Sequence, residues 1–274
     1  MASGTVIAVL AGYLVILLAI GFWAARDSGD LKSYYVAGKR LPSWVIAFSS
    51  NATGESAWLL LGLTGMGYAI GVHAFWVILG EVLGIACAWV WVARPFKEYT
   101  DRFDAITVPD YLTNRFGDTS HVFRWLSAVI ILSMVMAYTA AQLTASGKAF
   151  DSFLGTGYTP GVFIGLAIVL FYTVVGGFKA VAYSDFIQGI LMLGCLVTLP
   201  IVAITAAGGW GEMLGALGAV NPALLRPMGE FGLGAAGISS AVGFVAIGFA
   251  FLGSPQLLTR FMAARDQKQI KELV

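Results

Sequence analysis

Long uncharged apolar runs alternate along this chain with short charged intervals, and the runs have the length of a bilayer crossing. A hydrocarbon core about 30 Å thick takes about 20 apolar residues in a helix. Seven runs approach that length: Thr5 to Ala25, Ser43 to Ile70, Ala74 to Ala93, Phe123 to Ser146, Pro160 to Val175, Tyr183 to Ala207 and Leu233 to Arg260. Each predicts a transmembrane helix, and the alternating ten-residue pattern of a membrane barrel does not occur. The intervals are a basic loop from Arg26 to Pro42, a tight Gly71-Val72-His73 turn and a polar loop from Arg94 to Ser120 with Pro95 and Pro109. Gly176-Gly177 closes the fifth run, and Pro200 predicts a kink near the outer end of the sixth. The Gly208 to Gly232 interval accommodates a short interfacial helix through Leu214, Leu217 and Leu224.

Two of the seven runs are irregular. From Phe48 to Gly62 the second packs Ser49, Ser50, Asn51, Thr53, Gly54, Glu55 and Ser56 into a membrane segment. Such residues weaken the helix and leave carbonyls unpaired, which a membrane tolerates only where they line a cavity or hold a cation. The seventh carries Gly243, Gly248 and Gly253-Ser254-Pro255, and a proline inside a helix breaks a backbone hydrogen bond. Broken runs separated by four regular ones have the spacing of two inverted five-helix repeats, each opened by a discontinuous helix, with a binding site between them.

Composition agrees. Of 274 residues, 58% are hydrophobic and 11% charged, against about 25% charged in a soluble domain. The net charge of +1 argues against nucleic acid as a partner. With an N-terminus outside, every basic residue except Lys148 and Arg226 falls on the cytoplasmic side, so the positive-inside rule predicts N-terminus out and C-terminus in. Residues 1–25 hold no charge and no basic n-region, which predicts no cleaved signal peptide. Cys87 and Cys195 lie in separate apolar runs and read as small buried hydrophobes. Trp23, Trp44, Trp89, Trp91, Trp125 and Trp210 lie near run ends, as in an interfacial belt; Trp58 falls mid-run and reads either as core or as a stacking wall for a solute. His73 and His121 receive no role. With no nucleophile–base pair, HExxH, phosphate loop or metal-spaced Cys/His cluster, the sequence points away from an enzyme.

Three carboxylates lie in or at the edge of apolar runs. An acid at mid-bilayer depth costs about 2.5–3.5 kcal/mol on insertion scales and marks a functional position unless it is satisfied locally. Glu55, inside the polar break, reads as a cation ligand or a proton-titrating group. Glu81 reads equally as a hydrogen-bonded acid fixing one helix against another. Asp185 reads as an inner gate, an ion exit or a helix cap.

Four blocks resemble the sodium/solute symporter family, particularly its proline-transporter branch: Ser56-Ala-Trp-Leu-Leu-Leu-Gly-Leu63, Ile106-Thr-Val-Pro-Asp-Tyr-Leu-Thr-Asn-Arg-Phe116, Tyr172 through Gly176-Gly177 to Asp185 with Gln188, and Gly253-Ser-Pro-Gln-Leu-Leu-Thr-Arg-Phe-Met-Ala263. The resemblance runs through essentially the whole chain in order. It implies an all-α, polytopic, leucine-transporter-type fold with one extra helix in front. Residues 1–274 then form one transmembrane domain, with the extra helix and loop over 1–41, the first five-helix repeat over 42–207 and the opening helix of the second repeat over 233–262.

The resemblance also implies roles. Carbonyls of Ala52 and Glu55 would bind sodium, together with a Ser/Thr pair from a later helix, and Asp185 would serve sodium movement or a second sodium site. Ser56, Trp58, Tyr138, Ile247, Phe251 and Pro255 would touch substrate. The implied activity is sodium-coupled symport of a small organic solute, such as proline or a related carboxylate, in a bacterial-type inner membrane and without a further cofactor. Alternatives are proton coupling, a membrane sensor module, or a non-transporting half completed by a C-terminal partner. Two departures bear on substrate. Gly54 stands where the proline branch has an aspartate, and Ile247 and Phe251 stand where it has aromatics able to donate hydrogen bonds. Members of the family are about twice as long, so the chain ends before the helix carrying the Ser/Thr pair and supplies half of the principal sodium site, as a truncated chain or a split gene product would.

Overall fold

The computed structural model describes residues 4–27 and 29–273, so the outermost bounds of the expected domain, Met1 and Val274, lie outside the described residues. Among the described residues the regular structure is helical, apart from one isolated parallel bridge between Leu41 and Ala264. The helices are α1 (Gly4–Ala25), α2 (Leu31–Val36), α3 (Ser43–Ala57), α4 (Thr64–Ile70), α5 (Phe75–Cys87), α6 (Arg94–Arg102), α7 (Val108–Phe116), α8 (Val122–Leu154), α9 (Tyr158–Ala206), α10 (Trp210–Val220), α11 (Ala235–Gly248), α12 (Pro255–Ala263) and α13 (Gln267–Leu273). Two π-helical turns, Trp58–Leu63 and Ala88–Ala93, link α3 to α4 and α5 to α6. Local chemistry sets the ends. The Asp30 carboxylate caps α2, the Thr107 hydroxyl caps α7, and left-handed Gly117 and Gly155 close α7 and α8.

Five helical stretches among the described residues are long and apolar enough to cross a membrane: Gly4–Ala25, Ser43–Arg102, Val122–Leu154, Tyr158–Ala206 and Ala235–Gly253. Two of these hold 60 and 49 residues. Laid straight they would run roughly 90 and 75 Å at 1.5 Å per residue, far beyond a bilayer core. Each carries an interior turn at a glycine with positive φ: Gly71 (61°) in the first, followed by a 3-10 turn, and Gly177 (59°) in the second. Their apolar side chains remain on the surface, as on α8, where Val129, Ile130, Leu132, Met134 and Met136 are all exposed. A bilayer solvates such a face and water does not. This is a multi-pass membrane protein.

The structure adds detail the pattern did not carry. The polar Arg94 to Ser120 interval holds two helices, α6 and α7. The interval after the sixth run contains α10, as its leucines suggested. Pro200 lies inside α9, whose one non-helical residue is Gly177.

The chain divides into two compact units, each assembled from separated segments. The first comprises Met1–Thr53, Arg94–Ile187 and Pro255–Val274. Its centre is built from Val36, Leu41, Val45, Ile46, Phe261, Met262 and Ile270, all buried. Lys39 and Lys97 are buried with them and share Asp101 Oδ1 at 2.8 and 3.0 Å, while Lys97 also donates to the Met262 carbonyl. A second cluster joins Ala24, Tyr172 and Ala180, where Gly21 and Gly176 let the backbones approach closely.

The second unit comprises Gly54–Ala93 and Gln188–Ser254. Its organising contact is α5 against α11. A Cβ on Gly80 would overlap the backbone of Val245, and one on Gly84 would overlap the carbonyl of Gly248. Only glycine permits that approach, the small-residue packing that membrane helices use in place of a hydrophobic drive. At one end of this pair His73 is buried, its Nδ1 donating to the Pro227 carbonyl at 2.7 Å and its Nε2 meeting Ser240 Oγ at 2.9 Å. Trp76 Nε1 donates to the same Pro227 carbonyl at 2.8 Å. His73, which had received no role, anchors the Pro222–Phe231 region.

Candidate ion and substrate site

Three helix discontinuities lie near the expected site residues. In α3 the backbone leaves helical geometry at Ser56 (φ 39°, ψ −164°), a region costly for a residue with a Cβ. The Ser56 hydroxyl accepts the Trp58 backbone N–H at 3.3 Å, so the break is held by its own side chain. In α9 the break is Gly177. Between α11 and α12 the chain passes through a 3-10 turn, Phe249–Gly253, and extended Ser254 before Pro255 starts a new helix. Both irregular runs read from the sequence are therefore discontinuous helices.

Within the first unit, side chains near each break meet at one point. Asp185 Oδ2 accepts from Ser49 Oγ at 2.7 Å, from Thr53 Oγ1 at 3.4 Å and from Arg260 Nη2 at 2.7 Å. Arg260 spends its remaining donors nearby, Nε on the Ser49 hydroxyl and carbonyl and Nη1 on the Gln256 carbonyl at 2.7 Å. Both charged side chains are largely shielded, at 6% exposure for Arg260 and 14% for Asp185. Among the described residues the buried Ser50 hydroxyl, next in sequence to Ser49, has no hydrogen-bond partner. The cluster thus offers hard oxygen ligands, one anion and one tethered cation. Asp185 is no helix cap, since it lies deep inside α9. Arg260, one of the basic residues that the charge pattern places on the cytoplasmic side, is its counter-ion.

Within the second unit, Glu55, Ser56, Trp58, Ile247 and Phe251 belong to the same compact body. The Phe251 ring lies over Gly54: a Cβ there would stand 3.3 Å from Phe251 Cε1. An aspartate at position 54 would therefore require that ring to move, so Gly54 and Phe251 form a matched pair. Trp58 donates its indole N–H to Glu81 Oε1 at 2.8 Å, joining the start of the π-helical turn to α5. Glu81 thus has the helix-fixing role open to it in the sequence. Ala52, Tyr138 and Pro255 fall in the first unit, with Tyr138 partly exposed on α8. A cavity of about 660 Å³ in the first unit and one of about 200 Å³ in the second are lined by none of the six expected substrate residues.

Comparison with known proteins reveals the following similarities. The family model described as the sodium:solute symporter family matches residues 34–274. The chain is 36% identical over 260 residues to the osmoregulated proline transporter OpuE of Bacillus subtilis, covering 94% of this chain and 52% of the relative. It is 35% identical to the high-affinity proline transporter PutP of the same organism, covering 93% and 53%, and 34% identical to a sodium/proline symporter of Staphylococcus aureus, covering 95% and 50%. The chain spans about half the length of these relatives. Its fold matches a solved structure of a Na+-coupled sialic acid symporter in the substrate-bound outward-open state, with a TM-score of 0.80 at 19% identity, covering 97% of this chain and 56% of that one.

Proposed function

Because the chain belongs to the sodium:solute symporter family, we propose that it forms part of a sodium-coupled symporter for a small organic solute, of the kind an amino acid such as proline represents. The observation carrying this reading is the convergence of Ser49, Asp185 and Arg260, each close in sequence to a break in a membrane helix. A hard cation in a membrane is held by oxygens from unwound backbone and short polar side chains. Asp185, Ser49 and Thr53 present that chemistry around one carboxylate. Arg260 occupies the carboxylate as a tethered cation, so sodium entering there competes with it or shares it. Ion binding then changes the geometry of α3, α9 and α12 together, and a ligand that prefers one arrangement shifts the population toward it.

Ser56, Trp58, Ile247 and Phe251, all in the second unit, supply the solute-facing side of this reading. The matched pair Gly54–Phe251 puts glycine in place of an acid and a phenyl ring in place of a donating aromatic, which favours a solute with apolar carbon to bury. The interior turns at Gly71 and Gly177 divide two long stretches into four spans. That gives seven crossings in all, with the N-terminus outside by the positive-inside rule.

Uptake of a panel of labelled amino acids and carboxylates into vesicles carrying the complete gene product, with and without a sodium gradient, tests the proposal. Sodium-dependent accumulation of one solute is expected. Accumulation driven equally by a proton gradient alone, or no ion-dependent uptake of any solute, defeats it.

A further inference from the structure

The second unit holds one side chain in a vise whose jaws no sequence pattern identified. We infer that Glu81 and Gly62 are positioning residues for Trp58, fixing the indole so that it offers a solute its ring face and not its N–H; this rests on the reading that Trp58 faces substrate. Three observations carry the inference. The indole N–H is already committed, 2.8 Å from Glu81 Oε1. The six-membered ring lies directly over Gly62, where a Cβ would overlap its Cε3 and Cζ3 carbons, so no other residue fits beneath it. The two residues share a π-helical turn, the kind of bulge that recurs at functional sites.

The base of the vise is itself fixed. Glu81 lies between Gly80 and Gly84, the two residues whose missing side chains press α5 onto α11, and a Cβ on Gly248 would overlap the Glu81 backbone region. The carboxylate therefore has little freedom to follow a displaced ring. An indole held in this way cannot donate to a substrate carboxylate. It can stack on apolar carbon or face a cationic nitrogen, an interaction favourable at an indole face. The solute class that fits is a compact zwitterion that presents its ammonium or ring carbons, not its carboxylate, to Trp58.

Glu81→Gln keeps an oxygen acceptor, Glu81→Leu removes it at similar volume, Trp58→Phe removes the donor, and Gly62→Ala tilts the ring with Glu81 intact. In vesicles with the complete gene product and radiolabelled proline, Glu81→Leu is expected to raise KM about tenfold with Vmax within about twofold, the upper scale of one hydrogen bond. Glu81→Gln should recover most of that, Gly62→Ala should raise KM, and Trp58→Phe/Glu81→Leu should match Trp58→Phe alone. A second readout is independent of transport. The indole 15N–1H resonance of Trp58, assigned by its loss in Trp58→Phe, should move on Glu81→Leu in nanodiscs and stay near its place on Glu81→Gln. An unmoved resonance, or additive KM effects in the double variant, overturns the inference. If the parent protein takes up no solute, the symport reading fails while the resonance still decides whether Glu81 holds Trp58.

Discussion

Removing the Arg260 guanidinium is the sharpest perturbation the structure suggests. Arg260→Met keeps the length of the stem and deletes the cation. It leaves Asp185 with two hydroxyl donors, and leaves the Ser49 and Gln256 carbonyls without their guanidinium partner. Both charged side chains are less than one-sixth exposed, so solvent does little to absorb the loss. Breaking a buried pair from one side costs about 3–5 kcal/mol, because the remaining charge is uncompensated. At about 2 °C per kcal/mol for a chain of this size, the midpoint of thermal unfolding should fall by roughly 6–10 °C. Asp185→Asn should cost a comparable amount from the other side. Arg260→Met/Asp185→Leu should cost less than the sum of the two singles, since no charge is stranded.

The ion dependence of that loss separates a structural ion pair from an ion site. If the carboxylate accepts sodium, then sodium chloride should restore part of the lost stability in Arg260→Met by standing in for the missing cation. Choline chloride at equal ionic strength should not. The assay is thermal unfolding of purified protein in nanodiscs, followed by near-UV circular dichroism across a sodium titration. Equal restoration by choline reduces the cluster to ordinary salt effects. A loss below about 1 kcal/mol in both single variants would mean that the pair is not shielded as the structure has it.

Two further outcomes are expected. Gly84→Leu drives a side chain into the Gly248 carbonyl, a backbone atom with no rotamer to escape into; overpacking of about 1–3 kcal/mol or more should follow, visible as a lowered unfolding midpoint, whereas Gly194→Leu, facing open space, should change little. At the α8 N-terminus, the Ser120 hydroxyl and the backbone N–H groups of Phe123 and Ser120 hold the Asp118 carboxyl below its usual range. A carboxyl depressed in the folded state stabilises fully above the ordinary carboxylate pKa and loses that contribution as pH falls through the depressed value. Asp118→Asn should therefore flatten the acid limb of stability below about pH 4 in a pH series of unfolding midpoints.

The breaks were legible because helix disruption is local chemistry. Gly253-Ser254-Pro255 and the Gly176 pair announce themselves in a few residues, and the polar stretch before Trp58 does the same. Short-range pattern also located the long apolar stretches and α10. What was hidden is long-range pairing. Arg260 lies 211 residues from Ser49 and 75 from Asp185, so its sequence neighbourhood, a basic residue at the end of an apolar run, reads as an interfacial charge. Lys97 shows both ranges: its ion pair with Asp101 is four residues away, while its bond to the Met262 carbonyl comes only with the fold. Glu81 stood between two readings because its partner is 23 positions away across a turn. One local signal does point to the α5–α11 contact: Gly80 and Gly84 have the small-residue spacing that brings membrane helices into backbone contact. His73 had no such signal, since only the fold brings the Pro227 carbonyl to it.

A physical consequence follows from where the charged cluster lies. Ser49, Asp185 and Arg260 are each within a few turns of a residue at which a helix loses its register, and their bonds run from one half-helix to another. A continuous helix resists bending because each turn is bonded to the next, whereas a broken one pivots at little cost. The cluster therefore ties α3, α9 and α12 together inside the first unit through one ion pair and its hydrogen bonds. Replacing Arg260 by a mobile cation at Asp185 would keep the charge balance while cutting the covalent tether to α12. Sodium in that role need not push on anything. It need only let one half-helix go.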